Sequence, residues 1–358
     1  MKIELSILII THNQRDFLKR CIESVLNQEL PFGYEIIISD DHSTDGTWDL
    51  IEDLSAKMQD VIKGYKWERE DASELCAIER AGWNRLNAYL HCSGKYFAML
   101  DADDYLIGTD VYKKQYDLLE AHPNCSMCQH RVIHVKDGEP IESGFSYYED
   151  YPTGTIIAAK EIIKNPTLVD HVNGMMIRRQ PSLDMQKSLG VLFDDRHIIF
   201  QHLLYGDLVC LNEYGYVYVN YAQSICQYGQ HDAEVLALKQ GIDVFTRIQA
   251  VPQWAGLMMK YNGIRAISNV FKLRNKEAML VNNKQWTYRN YEGFIFDFYS
   301  KPLSERTAKE KLKAFSLRWM CFIIKKLHIS GGPRLYKTIY AMTTSNEAAN
   351  KIPSEYWK

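Results

Sequence analysis

The first hundred residues alternate apolar runs with amphipathic stretches. Residues 5–10 (LSILII) are almost continuously apolar and predict a strand buried on both faces of a parallel sheet. Phe17, Leu18, Cys21, Ile22, Val25 and Leu26 then recur at helical spacing, with Asn13 as the expected cap, Asp16 three residues on, and Pro31 to Gly33 as the break. Residues 35–39 (EIIIS) predict a second strand, 40–45 a polar loop, and 47–58 a helix with Trp48, Ile51, Leu54 and Met58 on one stripe. A short strand is expected within 61–67, a helix over 72–91, and a further buried strand at 96–100 (YFAML).

This strand–helix order implies an α/β fold with right-handed crossovers and a mostly parallel sheet flanked by helices. Ligands in such sheets bind beyond the carboxyl ends of the strands. Three polar clusters, at residues 11–13, 40–45 and 101–104, follow apolar strands and are expected to converge there. From residue 124 the pattern loosens, with strands expected near 126–135 and 214–220. After residue 230 it reads as mostly helical, interrupted near Pro252, Pro302 and Gly331 to Pro333. The sequence contains no repeat and no low-complexity tract.

Composition narrows the class. A chain of 358 residues can bury one large core or two moderate ones, and 46% hydrophobic with 24% charged residues excludes intrinsic disorder. The net charge of −3 argues against a nucleic-acid binder. Residues 301–340 are the exception: ten Lys or Arg against two Glu give +8 there and leave −11 elsewhere. Eight cysteines (21, 76, 92, 125, 128, 210, 226 and 321) lack a disulfide-like rhythm. With no secretory signal and no apolar run of about 18 residues, a cytoplasmic protein, soluble or peripheral to a membrane, is expected.

The strongest chemical signal is Asp101-Ala102-Asp103-Asp104. Three carboxylates in four residues repel one another unless a cation neutralises them. Oxygen donors of this kind suit Mg²⁺ or Mn²⁺, which draws in a diphosphate and stabilises it as a leaving group. An acidic loop capping the next helix would look similar. The loop at 39–47 (SDDHSTDGT) offers Asp40 or Asp41 to a base or ribose, while Ser43, Thr44 and Asp45 suit a turn and helix cap.

SILIITHNQRDFLKRCIESVLNQ, EIIISDDHSTDGTWDLI and GKYFAMLDADDYL, in this order, resemble the family-2 glycosyltransferases of the GT-A fold. The likeness is clear over residues 3–106 and fades toward 225. It implies that Thr11 and Asn13, with Asp40 or Asp41, bind the nucleotide. It also implies that Asp101 and Asp103 form the metal-binding D-x-D, Asp101 contacting the donor as well. Asn84 and Arg85 fall where the family often places polar contacts to the nucleotide. His12 stands where many members have Tyr, and Tyr218 is followed by Val219 where many have Arg. The Asp194-Asp195 pair, about 90 residues after the D-x-D, matches the family's acidic pair, with Asp195 at the position of the base. Two acids there also suit a helix N-terminus.

The resemblance thus implies a GT-A domain over 1–225, with a donor half to about 106 and an acceptor half after it. A mostly helical extension is expected over 226–358. The implied reaction is inverting, metal-dependent transfer from a nucleotide sugar, a UDP-sugar first, to a saccharide acceptor. A lipid-linked saccharide, as in surface polysaccharide or glycolipid assembly, is the favoured acceptor class. A sugar-1-phosphate nucleotidyltransferase is the alternative, but Thr11-His12-Asn13-Gln14 is not a Gly-rich phosphate loop. A catalytically inactive sugar-nucleotide binder is the other. His122, Cys125, Cys128 and His130 resemble a zinc cluster, but three-residue spacing on a strand turns side chains to opposite faces. His171 is a lone candidate for acceptor contact. Lys311, Arg318 and Lys325 would edge a helix over 309–328 whose broad apolar face includes Phe315, Trp319 and Phe322, a design suited to an anionic membrane surface. A helix packed on its own domain would show the same pattern.

Overall fold

The computed structural model describes residues 2–67, 77–141, 151–164, 168–180, 195–220, 279–281 and 284–286, together with Ala308, Leu312 and Trp319. Its first elements follow the predicted alternation. They are β1 (Ile3–Thr11), α1 (Arg15–Leu26), β2 (Gly33–Asp40), α2 (Thr47–Lys57), β3 (Ile62–Lys66), α3 (Ala77–Leu90) and β4 (Tyr96–Asp101). Next come β5 (Tyr105–Leu106), α4 (Val111–Ala121), β6 (Cys125–Lys136), β7 (Glu139–Ile141), β8 (Ile156–Ile157) and α5 (Ala159–Lys164). A 3₁₀ turn at Val172–Gly174, β9 (Met175–Arg178), α6 (Asp195–Leu203) and β10 (Asp207–Asn220) complete this part.

These strands form one sheet in the order β3-β2-β1-β4-β9-β6-β10-β5, with β7 on β6 and β8 on β10. Parallel pairing holds across β3-β2-β1-β4. Beyond β4 the sheet is mixed: β9 is antiparallel to both β4 and β6, and β10 runs parallel to β6. Register places Thr11 opposite Asp40, and Ile10 opposite Asp101. The carboxyl ends of three strands therefore lie side by side.

The apolar runs fill the core as their composition requires. Ile7, Ile9, Ile36, Ile38, Ala98 and Leu100 pack with Leu18, Cys21, Ile22 and Val25 of α1, all buried. Truncating any one of the larger of these to Ala would cost about 2–5 kcal/mol. A buried polar clamp secures the opposite end of the sheet. Glu35 accepts from Ser6 Oγ at 2.7 Å, Ser93 N at 2.8 Å and Lys63 Nζ at 2.7 Å. Gly94 beside it is required by close approach, since a Cβ would lie 2.7 Å from Ser6 N.

The α1 cap departs from expectation. Gln14, not Asn13, is the N-cap residue, and it makes no side-chain capping bond. Asn13 is left-handed (φ 53°), and its side chain serves the neighbouring loop instead.

The chain forms two compact units, one of residues 1–162 and 166–233, the other of 163–165 and 234–358. In the second, β11 (Met279–Val281) and β12 (Lys284–Trp286) form an antiparallel pair within a region whose periodicity reads as helical. Ala308, Leu312 and Trp319 are helical, while the rest of 309–328 lies outside the described residues. No helix among the described residues is long and apolar enough to cross a membrane.

Candidate active site

The site begins with two loops tied together. The Asp41 N–H donates to Thr11 O at 3.0 Å, continuing the β1–β2 pairing beyond the strands. Asn13 N donates to Ser43 Oγ at 2.8 Å, and Thr44 N donates back to Asn13 Oδ1 at 2.8 Å. Asp45 accepts from Thr47 N at 3.0 Å, which starts α2. Gly46 just before it is left-handed (φ 86°), a conformation glycine adopts without strain.

Three candidate nucleotide contacts, Thr11, Asp40 and Asn84, are buried. Asp40 is fully buried and accepts from Ser43 N at 2.9 Å and from Ser43 Oγ. Burial raises its pKa, against the pull of the Ser43 hydrogen bonds. Asn84 is buried as well, its Nδ2 donating to Ser39 O at 3.0 Å and Thr11 O at 3.3 Å. It is a strut between the ends of β1 and β2. Asp41, by contrast, is only partly buried and pairs with Arg80 Nε at 3.3 Å, while His12 Nδ1 donates to the Asp41 carbonyl at 2.7 Å. Thr11 is buried and Asn13 exposed. Of the two adjacent acids, Asp41 is the one that faces outward.

The acidic cluster is sorted in the same way. Ala102 N donates to Ile10 O, and Asp104 N to Asp101 O, both at 3.0 Å, so the turn is fixed to the end of β1. Asp101 receives Arg85 Nη2 at 3.1 Å on both oxygens and Asn173 Nδ2 at 3.0 Å. Burial acts to raise its pKa, but Arg85, His171 and Asn173 outweigh that and hold it below the ordinary value. Asp104 is buried and accepts from Val219 N at 2.8 Å and from the Tyr216 hydroxyl. Burial, then the charges of Asp103 and Asp101, push it well above the usual carboxylate range. Asp103 is half-buried, and its carbonyl accepts from Arg20 Nη2 at 3.2 Å.

Asp101 and Asp103 thus remain as oxygen donors on one turn, and the donor set suits a hard divalent ion completed by phosphate oxygens. Asn173 Oδ1, buried beside Asp101, has no hydrogen-bond partner among the described residues. Among the described residues no three His, Cys, Asp or Glu side chains gather in a metal-holding cluster. Asp195 is the first residue of α6. Its side chain, like Asp194 as a whole, lies outside the described residues.

Sequence reasoning missed Asn173, Tyr216 and Arg80. Asn173 reaches Asp101 across 72 positions, a separation without any local signature. Tyr216 belongs to the alternation Tyr214-x-Tyr216-x-Tyr218, which marks a strand face but not a partner.

Comparison with known proteins fits this geometry. An uncharacterised protein of Mycobacterium tuberculosis is 25% identical over 224 residues, covering 62% of this chain and 60% of that protein's length. The Escherichia coli UDP-Glc:alpha-D-GlcNAc-diphosphoundecaprenol beta-1,3-glucosyltransferase WfaP is 34% identical over 106 residues, 30% of this chain and 38% of the relative. The crystal structure of S. aureus TarS 1–349 in complex with UDP-GlcNAc aligns with a TM-score of 0.54 at 15% identity, covering 83% of this chain and 81% of that one. The likeness shows a shared GT-A fold, in line with the expected fold class. The family profile described as Glycosyl transferase family 2 matches residues 6–184, half of the sequence, and the chain belongs to that family.

Proposed function

We propose that the chain transfers a sugar from a nucleoside-diphosphate sugar to an acceptor hydroxyl, in one displacement that inverts the anomeric carbon. The observation that carries this reading is the sorting of the acidic turn. Asp104 is spent on Tyr216 and Val219, while ionised Asp101 and half-buried Asp103 stay at the carboxyl end of β4 beside the Asp41 loop. Membership in the family supports glycosyl transfer as the reaction class.

In this reading Thr11, Asn13 and Asp41 bound the nucleoside site, with Asp40 and Asn84 fixing the loops from beneath. Asp101 and Asp103 would hold Mn²⁺ or Mg²⁺, which supplies charge neutralisation for the departing diphosphate. Arg85 adds a fixed positive charge from the protein side. Asp195 takes the proton of the attacking acceptor hydroxyl. UDP is the favoured nucleotide, since TarS was solved with UDP-GlcNAc and WfaP is named for UDP-Glc. WfaP is named for a diphosphoundecaprenol-linked sugar, which supports a lipid-linked acceptor and with it contact with a membrane surface. The basic, apolar segment 309–328 would make that contact.

The experiment is a donor panel. UDP release from UDP-glucose, UDP-GlcNAc and UDP-galactose is measured against GDP- and dTDP-sugars, with Mn²⁺, Mg²⁺ or EDTA. Metal-dependent turnover of a UDP-sugar is expected. Pyrophosphate-dependent formation of a sugar phosphate would instead favour a nucleotidyltransferase.

A further inference from the structure

A second group of side chains continues from Asp101 along the mixed half of the sheet, and donor chemistry leaves it unused. Asn173, which bonds Asp101, sits in the 3₁₀ turn that His171 precedes. The His171 ring stacks on Tyr216 (centroids 6.0 Å apart, 24° between planes) and lies 4.9 Å from the Tyr218 ring. Tyr218 is paired with His134 across β10 and β6, their rings 5.4 Å apart. His134 Nε2 in turn lies 3.3 Å from Asp170 Oδ1, and the Asp170 N–H is held by Gln129 Oε1 at 3.4 Å. The chain of contacts runs unbroken from Asp101 to Asp170.

Burial separates framework from surface. Tyr216 is fully buried and committed to Asp104. His171 and Tyr218 are partly buried, while the side chains of His134 and Asp170 keep 13% and 8% of their surface. His134 Nε2 faces Asp170, and the other ring nitrogen, Nδ1, can hydrogen-bond a hydroxyl. A ring face flanked by a carboxylate–imidazole pair is the chemistry that recognises a pyranose: C–H groups pack on the ring and vicinal hydroxyls meet the polar pair. The Asp170 carboxylate disfavours a phosphate at the same place.

We infer that Tyr218, His171 and the His134–Asp170 pair form the shelf that holds the terminal, uncharged pyranose of the acceptor beside Asp101. The inference rests on the glycosyltransferase reading. The shelf residues are positioning and specificity residues, and none of them takes part in proton transfer.

The test is saturation-transfer difference NMR on the full chain, using methyl glycosides of glucose, galactose and N-acetylglucosamine as probes. Calorimetry with UDP and Mn²⁺ runs in parallel. At least one glycoside should show ring-proton saturation in the parent. Tyr218→Ala and Asp170→Asn should lower it by about 5-fold or more. Tyr218→Phe should keep it, because the ring face remains, and UDP affinity should be unchanged in all three. A parent without saturation from any probe overturns the shelf, as does a Tyr218→Ala protein that keeps the parent's signal. A parent that binds a glycoside through these residues but not UDP would support the shelf while striking the nucleotide-sugar reading.

Discussion

Arg85 Nη2 lies 3.1 Å from both carboxylate oxygens of Asp101, which places a fixed counter-charge at the carboxyl end of β4. Removing the guanidinium withdraws a charge-assisted bond from the site but leaves the core intact. Arg85→Ala is expected to weaken UDP binding by about 10-fold or more in calorimetry. Arg85→Lys should not restore it, because an ammonium cannot reproduce the planar fork. Full affinity in Arg85→Ala would remove Arg85 from the donor site.

Asp104 should behave as a structural acid, unlike its neighbours. Asp104→Ala leaves the buried Tyr216 hydroxyl and the Val219 N–H without their acceptor, at about 1–3 kcal/mol for each. Urea unfolding should show a loss on that order. Asp103→Ala should change stability by less than about 0.5 kcal/mol. Equal stability losses in the two variants would mean that the turn is not sorted as described.

Glu35 gives an acid signature. Burial raises its pKa, but hydrogen bonds from Lys63, Ser93 and Ser6 bring it below the ordinary value of 4.5. A depressed folded pKa means stabilisation that is complete above 4.5 and is lost as pH falls through the folded value. Thermal melts of Glu35→Gln should therefore lie below the parent at neutral pH and approach it below pH 4.5. A constant gap across that window would show that the carboxylate is not the source.

The legible parts of the molecule were those with local periodicity. The runs at 5–10, 35–39 and 96–100 became strands β1, β2 and β4, and the three polar clusters meet because register places Thr11 by Asp40 and Ile10 by Asp101. Illegible were the directions of adjacent acids. Asp40 and Asp41, or Asp103 and Asp104, are equivalent in sequence, and only the distant partners Ser43, Arg80, Tyr216 and Val219 distinguish them. Asn173 carries no motif, and the β11–β12 pair lies in a stretch whose apolar spacing suggested helix.

Asp195→Asn should retain UDP affinity while kcat falls by at least about 100-fold, since only proton removal is lost. Asp194→Asn is expected to stay active. The reverse result would move the base by one residue.

The segment 309–328 should bind anionic vesicles. Leu312 and Trp319 are 65% and 53% exposed. Co-sedimentation with phosphatidylglycerol liposomes should weaken with added salt and be lost when Lys311, Arg318 and Lys325 are all changed to Glu. Undiminished binding by the triple variant would contradict a membrane role for the basic strip.

The central claim is that Asp101 and Asp103 bring a divalent ion and a nucleoside diphosphate together. Titration of UDP into the parent and into Asp103→Ala, each with Mn²⁺ and with EDTA, tests it most directly. The parent should bind UDP markedly more tightly with Mn²⁺, and Asp103→Ala should lose that difference while remaining folded. A variant that keeps the parent's full Mn²⁺ dependence, or a parent that binds UDP equally well in EDTA, would contradict the account.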